Sequence, residues 1–193
     1  TFKVLNLKWE LKSENSIEIG FPYLNQKLHQ INNISKKEDT LLVISQPFYS
    51  KNLRSFSIKL KEKLGNKIKI LYKPHPLEIL YKDTDYFDEL KENNIQVIKE
   101  YNHDLYELLN KSKWVLGVSS TALYEAVAFK CKVFVLMEPG YERLLKLINL
   151  NFAHLVRSIE EIQNLMDKSC NNNTETLFYN DMNKTIKSLL SNM

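Results

Sequence analysis

The sequence predicts an α/β fold, with a mostly parallel sheet of about six strands between two layers of helices. Three observations carry this. Short apolar runs of strand length alternate with longer stretches whose apolar residues recur at helical spacing. The short runs are apolar nearly throughout, which fits strands covered on both faces. Turn residues stand at many of the junctions: Gln46-Pro47, Gly65, Pro74 and Pro139-Gly140.

The elements follow in chain order. Phe2, Val4, Leu5, Leu7 and Trp9 alternate loosely, as in a strand. Ile19-Gly20-Phe21-Pro22 reads as a short extended piece ending in a turn, because Pro22 moves Phe21 out of the helical region. Residues 31–40 are polar and linker-like. Leu41 to Ser45 is the first strand of the regular part. Residues 51–64 place Leu53, Phe56, Ile58, Leu60 and Leu64 among lysines, an amphipathic helix stopped at Gly65. Lys67 to Tyr72 is the second strand. Residues 77–92 read as a helix or two turns, and Ile95 to Ile98 as the third strand. A short helix covers Asp104 to Ser112. Trp114 to Val118 is the fourth strand, followed by a helix to Lys130. Val133 to Leu136 is the fifth, a helix covers Arg143 to Leu150, and Ala153 to Val156 is the sixth. Ser158 and Glu161 have capping-box spacing ahead of a helix that ends near Lys168. Residues 175–192 form a last amphipathic helix. The predicted division is therefore a strand and linker segment at 1–35, the α/β domain at 36–173, and a C-terminal helix at 174–193.

Bulk properties narrow the function. The chain has 193 residues, enough for one domain with a real core. It begins with Thr1, which reads as a processed chain or a piece of a longer one. A net charge of +4 suits an anionic small ligand or surface and is too weak to argue for nucleic acid. No apolar run reaches the roughly 18 residues that cross a bilayer. Cys131 and Cys170 read as unpaired, structural thiols of a reducing compartment. The four histidines show no pair at metal-ligand spacing, so no metal site is expected. With four glycines and no GxGxxG or P-loop, the usual phosphate cradles are absent. Asp83-Thr84-Asp85 has metal-motif spacing but lies in a polar stretch rather than at a strand end. The sequons at Asn33, Asn172 and Asn183 lack a secretory signal.

In a parallel sheet, ligands bind beyond the carboxyl ends of the strands. Gln46, Lys73 to His75, Glu100, Ser119 to Thr121 and Glu138 follow strands and should gather along one edge. Ser119-Ser120-Thr121 sits between a strand and a helix, where unpaired amides and hydroxyls could hold a phosphate. Ser and Thr are also the ordinary helix caps, so on this stretch alone simple capping is the plainer alternative. Pro74 and Pro76 stiffen the turn around His75, which can donate to a phosphate oxygen, and Lys73 adds positive charge. The alternative is a proline-rich turn with an exposed histidine.

Lys73-Pro74-His75-Pro76, Asp104 to Leu109 and Val115 to Glu125 together resemble the C-terminal half of GT-B-type glycosyltransferases of bacterial surface polysaccharide synthesis. The likeness is nearest to sialyltransferases and polysialyltransferases with an HP and an SS motif. Wall teichoic acid glycerophosphotransferases have a similar layout, and Ile19 to Asn25 resembles the segment that opens the donor half in several of these families. The resemblance implies a Rossmann-like three-layer αβα domain, one half of a GT-B fold. It implies that His75 is catalytic and stabilises the leaving nucleotide, and that Ser119 and Ser120 hold the donor phosphate, with Lys73 and Thr121 beside them. Glu107 would bind the ribose, with Glu100 as runner-up. The implied donor is a nucleotide sugar, CMP-sialic acid being favoured, with no metal or other cofactor required. A glycan acceptor and an N-terminal acceptor domain missing from this chain would complete the enzyme. Its place would be the cytoplasm or the inner face of the bacterial membrane, with peripheral contact through the lysines of residues 59–69. The expected products are capsule or lipooligosaccharide. Alternatives are a CDP-glycerol glycerophosphotransferase, a UDP-sugar epimerase half-domain, or a non-catalytic α/β interaction domain.

Overall fold

A computed structural model of the chain describes residues 21–31, 36–81, 85–99, 104–168 and 170. Contacts divide the chain into two units: Thr1–Asn33 with Asn173–Met193, and Ile34–Asn172. In the first unit the described residues form one helix, α1 (Pro22–Gln30). The expected turn at Pro22 is therefore a helix start. Phe21 stays outside the helical region (φ −126°, ψ 80°) and Pro22 opens the helix, where a missing N–H costs nothing. The strand expected at residues 2–9 and the helix expected at 175–192 lie outside the described residues.

The second unit alternates as expected. In order it contains β1 (Glu38–Ile44), α2 (Ser50–Leu64), β2 (Lys69–Lys73), α3 (Pro76–Tyr81), α4 (Asp88–Glu92) and β3 (Gln96–Val97). Then follow α5 (Leu105–Lys111), β4 (Ser112–Gly117), α6 (Ala122–Ala128), β5 (Lys132–Leu136), α7 (Leu145–Asn149), β6 (Ala153–Val156) and α8 (Ile159–Leu165). The six strands form one sheet in the order β3-β2-β1-β4-β5-β6, and every pair is parallel. This is the Rossmann-like three-layer arrangement the sequence predicts.

Strand alternation explains the two layers. Leu41, Val43, Ile70, Tyr72, Trp114, Leu116, Phe134 and Leu136 point to one face, where they pack with Leu53 and Leu60 of α2, Leu90 of α4 and Ile162 of α8. The opposite parity carries α5, α6 and α7. Gly117 is on that second face, where an added Cβ would stand 3.2 Å from Leu123 of α6.

The scarcity of glycine has a local answer. Asn94, Lys130 and Asn151 take left-handed φ values of 54°, 57° and 58° just past α4, α6 and α7. After each, an amide reaches back five residues: Ile95 to Leu90, Cys131 to Ala126 and Phe152 to Leu147, at 2.8–2.9 Å. These are Schellman closures. Their last residues are all buried and lead into β3, β5 and β6. Gly65 (φ 62°) follows α2, as the sequence predicts. The α8 cap is half as predicted: Ser158 accepts from the Glu161 amide at 3.3 Å, but the Glu161 carboxylate accepts from the Arg157 amide rather than that of Ser158. Both cysteines are free, as expected. No helix among the described residues is long and apolar enough to cross a membrane.

Candidate functional site

The chain leaves β1 toward β2 and β3 on one side, and later runs from β4 to β5 and β6 on the other. Strand order therefore reverses between β1 and β4. A crevice opens at such a point beyond the carboxyl ends. The β2 and β4 ends flank the β1 end, roughly 10 Å apart at ordinary strand spacing.

His75 stands at the β2 corner. It caps α3 in a box with an imidazole where serine is usual. Its Nδ1 accepts the Leu77 amide at 3.2 Å. In return Glu78, the third residue of α3, accepts the His75 amide at 2.8 Å. Because Nδ1 is an acceptor, the neutral ring carries its proton on Nε2, and that N–H remains the donor that can serve a ligand. Glu78 is only 1% exposed, and its other oxygen accepts the Ser45 hydroxyl at 3.0 Å. Ser45 in turn accepts from the Tyr72 hydroxyl at 2.7 Å. The His75 turn is thus fastened to the end of β1.

Ser119 stands at the β4 corner and is also fastened to β1, through the next residue. Gln46 Oε1 accepts both the Ser119 amide (3.1 Å) and the Ser119 hydroxyl (3.0 Å). Ser45 and Gln46, adjacent in the chain, therefore join the two predicted corners. Past β5, the Tyr49 hydroxyl donates to the Pro139 carbonyl, and Asn52 donates to Glu138 at 2.9 Å. Gly140 (φ 97°) lies against Ser119: a Cβ there would be 3.8 Å from the Ser119 Oγ and 2.7 Å from the Tyr49 hydroxyl.

The other expected residues divide. Ser120 is half-buried and its Oγ accepts the Ala122 amide at 3.3 Å, leaving its O–H free to donate. Thr121 is exposed and makes no cap bond with its side chain. The helix expected to reach Lys130 is only Ala122–Ala128. Two turns make a weak dipole, so anion chemistry here rests on the serine donors, not on the helix. Lys73 ends β2 half-buried; burial lowers its pKa, and Asp104 at the start of α5 works in the opposite direction. Glu107 is an exposed carboxylate in the first turn of α5, a helix that packs on β1 and β4. Glu100, Asp83 and Thr84 lie outside the described residues.

Sequence reasoning did not assign roles to Gln46, Glu78, Gly140 and Glu125. Glu125 is half-buried in the first turn of α6; burial raises its pKa, and the Tyr106 hydroxyl bonded to it pulls the other way. Glu78 was findable: three residues after a helix-opening His75-Pro76, it has capping-box spacing. Among the described residues, no three of His, Cys, Asp and Glu come together as a metal ion would need.

No family model matches the chain, and no curated protein matches it. Among solved structures it is similar to the UDP-GlcNAc 2-epimerase of Methanocaldococcus jannaschii in complex with UDP-GlcNAc and UDP. That match has 18% identity and a TM-score of 0.67 over 95% of this chain and 56% of the other. A second structure of that epimerase gives 17% identity and 0.62 over 94% and 57%. A variant of the wall teichoic acid polymerase TagF gives 15% identity and 0.50 over 94% and 47%. At these identities the likeness is one of fold. The chain spans about half the length of these structures.

Proposed function

We propose that the Ile34–Asn172 unit binds the nucleotide-sugar donor of a metal-independent glycosyl transfer, with the donor phosphate in the crevice between β1 and β4. The observation that carries this reading is the hydrogen-bonded link from His75 through Glu78 and Ser45 to Gln46 and Ser119. It ties the turns that carry His75 and Ser119 to one strand end, on the edge where such sheets take ligands, and so supports the reading.

Glycosyl transfer breaks the bond between the sugar carbon and a phosphate oxygen, and the electron pair stays on that oxygen. A donor aimed at the growing charge lowers the barrier by about 3 kcal/mol. The His75 Nε2–H and the Ser120 hydroxyl fill this role, with Ser119 beside them. The acceptor hydroxyl gives its proton to a base on a further domain, in keeping with a chain about half as long as the structures it resembles. The favoured donor is CMP-linked, with CMP-sialic acid first, and the product a surface glycan. The epimerase likeness favours UDP as the second choice. Lys59, Lys61, Lys63 and Lys67 lie at the opposite, amino-terminal edge of the sheet, so peripheral contact with an anionic membrane there would leave the crevice open.

Titration calorimetry with CMP, CDP and UDP tests the reading. One nucleotide should bind. His75→Asn, which keeps a capping oxygen but cannot extend a donor as far as the ring Nε2–H does, and Ser120→Ala should each weaken it about tenfold. No binding of any of the three at millimolar concentration would overturn the assignment.

A further inference from the structure

We infer that Gln46 is a latch, whose carboxamide oxygen holds the place of a donor phosphate oxygen until a nucleotide displaces it. The inference rests on the nucleotide-binding reading above. Two donors of one residue, the Ser119 amide and hydroxyl, converge on a single oxygen at 3.1 and 3.0 Å. A forked pair of donors around one oxygen is how a protein grips an oxyanion. A backbone N–H can only donate, so the atom facing it is the carboxamide oxygen and the orientation of the amide is fixed.

Ser119 is 8% exposed. An anion reaches its donors only when the Gln46 side chain leaves. Nothing in the backbone hinders that exit. Gln46 is ordinarily extended (φ −143°, ψ 144°), Pro47 fixes the chain after it, and the side chain turns on its own torsions. Gly140 keeps the far side of the Ser119 hydroxyl free of a side chain. The exchange favours an anion, because a hydrogen bond to a charged oxygen is roughly twice as strong as one to a neutral carboxamide. A neutral nucleoside offers no such gain. The latch therefore selects for phosphorylated ligands and lowers the affinity of all of them.

The test uses the full chain and calorimetry with CMP, CDP and UDP. Gln46→Met fills similar space without an acceptor and should tighten the bound nucleotide about tenfold, while Gln46→Glu, which puts a charge on the same donors, should weaken it. Unchanged or weaker binding by Gln46→Met overturns the latch and leaves the nucleotide site standing. If the unmutated chain binds none of the three nucleotides at millimolar concentration, both readings fall. The unmutated chain supplies a second measurement. The Ser119 amide resonance should shift on saturation with the nucleotide and stay in place with cytidine or uridine. A Ser119 resonance unmoved by a bound nucleotide also overturns the latch.

Discussion

The carboxylate of Glu78 holds the amide of His75 at 2.8 Å, and does so from a position almost closed to solvent. With the Ser45 hydroxyl on its other oxygen, both acceptors meet donors. Glu78→Gln keeps the shape but turns an NH2 toward one of those donors. The expected cost is about 1–3 kcal/mol, the penalty of an unsatisfied buried group. Urea unfolding should show a lower midpoint with an unchanged slope. A variant as stable as the parent would mean the carboxylate is not needed there.

Gly140 should accept no side chain. Its φ of 97° is in the left-handed region, and a Cβ would meet the Tyr49 hydroxyl at 2.7 Å. Gly140→Ala should lower stability by about 1–3 kcal/mol. Adding Tyr49→Phe removes the clash but not the backbone strain, so thermal melts of the double variant should recover only part of the loss.

Glu125 makes stability depend on pH. Burial raises its pKa above an ordinary 4.5. A carboxyl raised in the folded state contributes stability that is complete below its unfolded value and is lost as pH rises through its folded value. Glu125→Gln should therefore be more stable than the parent near neutrality, and the two should converge below pH 4.5. Melting temperatures across that range check the sign. A parent that gains on the variant as pH rises would contradict the burial effect.

Much of the fold could be read from the chain, because burial on both faces leaves strands as plain apolar runs. Leu41 to Ile44, Trp114 to Gly117, Val133 to Leu136 and Ala153 to Val156 all lie in strands of the sheet. The stretch at 77–92 reads from its spacing as a helix or two turns, and it holds two short helices, α3 and α4. Helix α1 was hidden because Pro22 opens a helix and ends an extended piece with the same stereochemistry. At the crevice, strand ends could be named but bonds could not. That Ser119 gives both donors to Gln46 depends on β1 and β4 being neighbours, which spacing along the chain does not reveal. Capping-box spacing points to one oxygen of Glu78, but the Ser45 hydroxyl on the other depends on β1 lying beside β2, which the chain alone does not show.

The bonds that build the crevice join distant parts of the chain. Ser45 meets Glu78 across 33 positions, Gln46 meets Ser119 across 73, and Tyr49 meets Pro139 across 90. No early folding fragment can own this site, because β1 must first find β2, β4 and the loop after β5. A ligand bound there recognises only the finished sheet, so its affinity adds directly to the free energy of unfolding the whole unit. Recovery of binding should then be the last event observed when the denatured chain refolds.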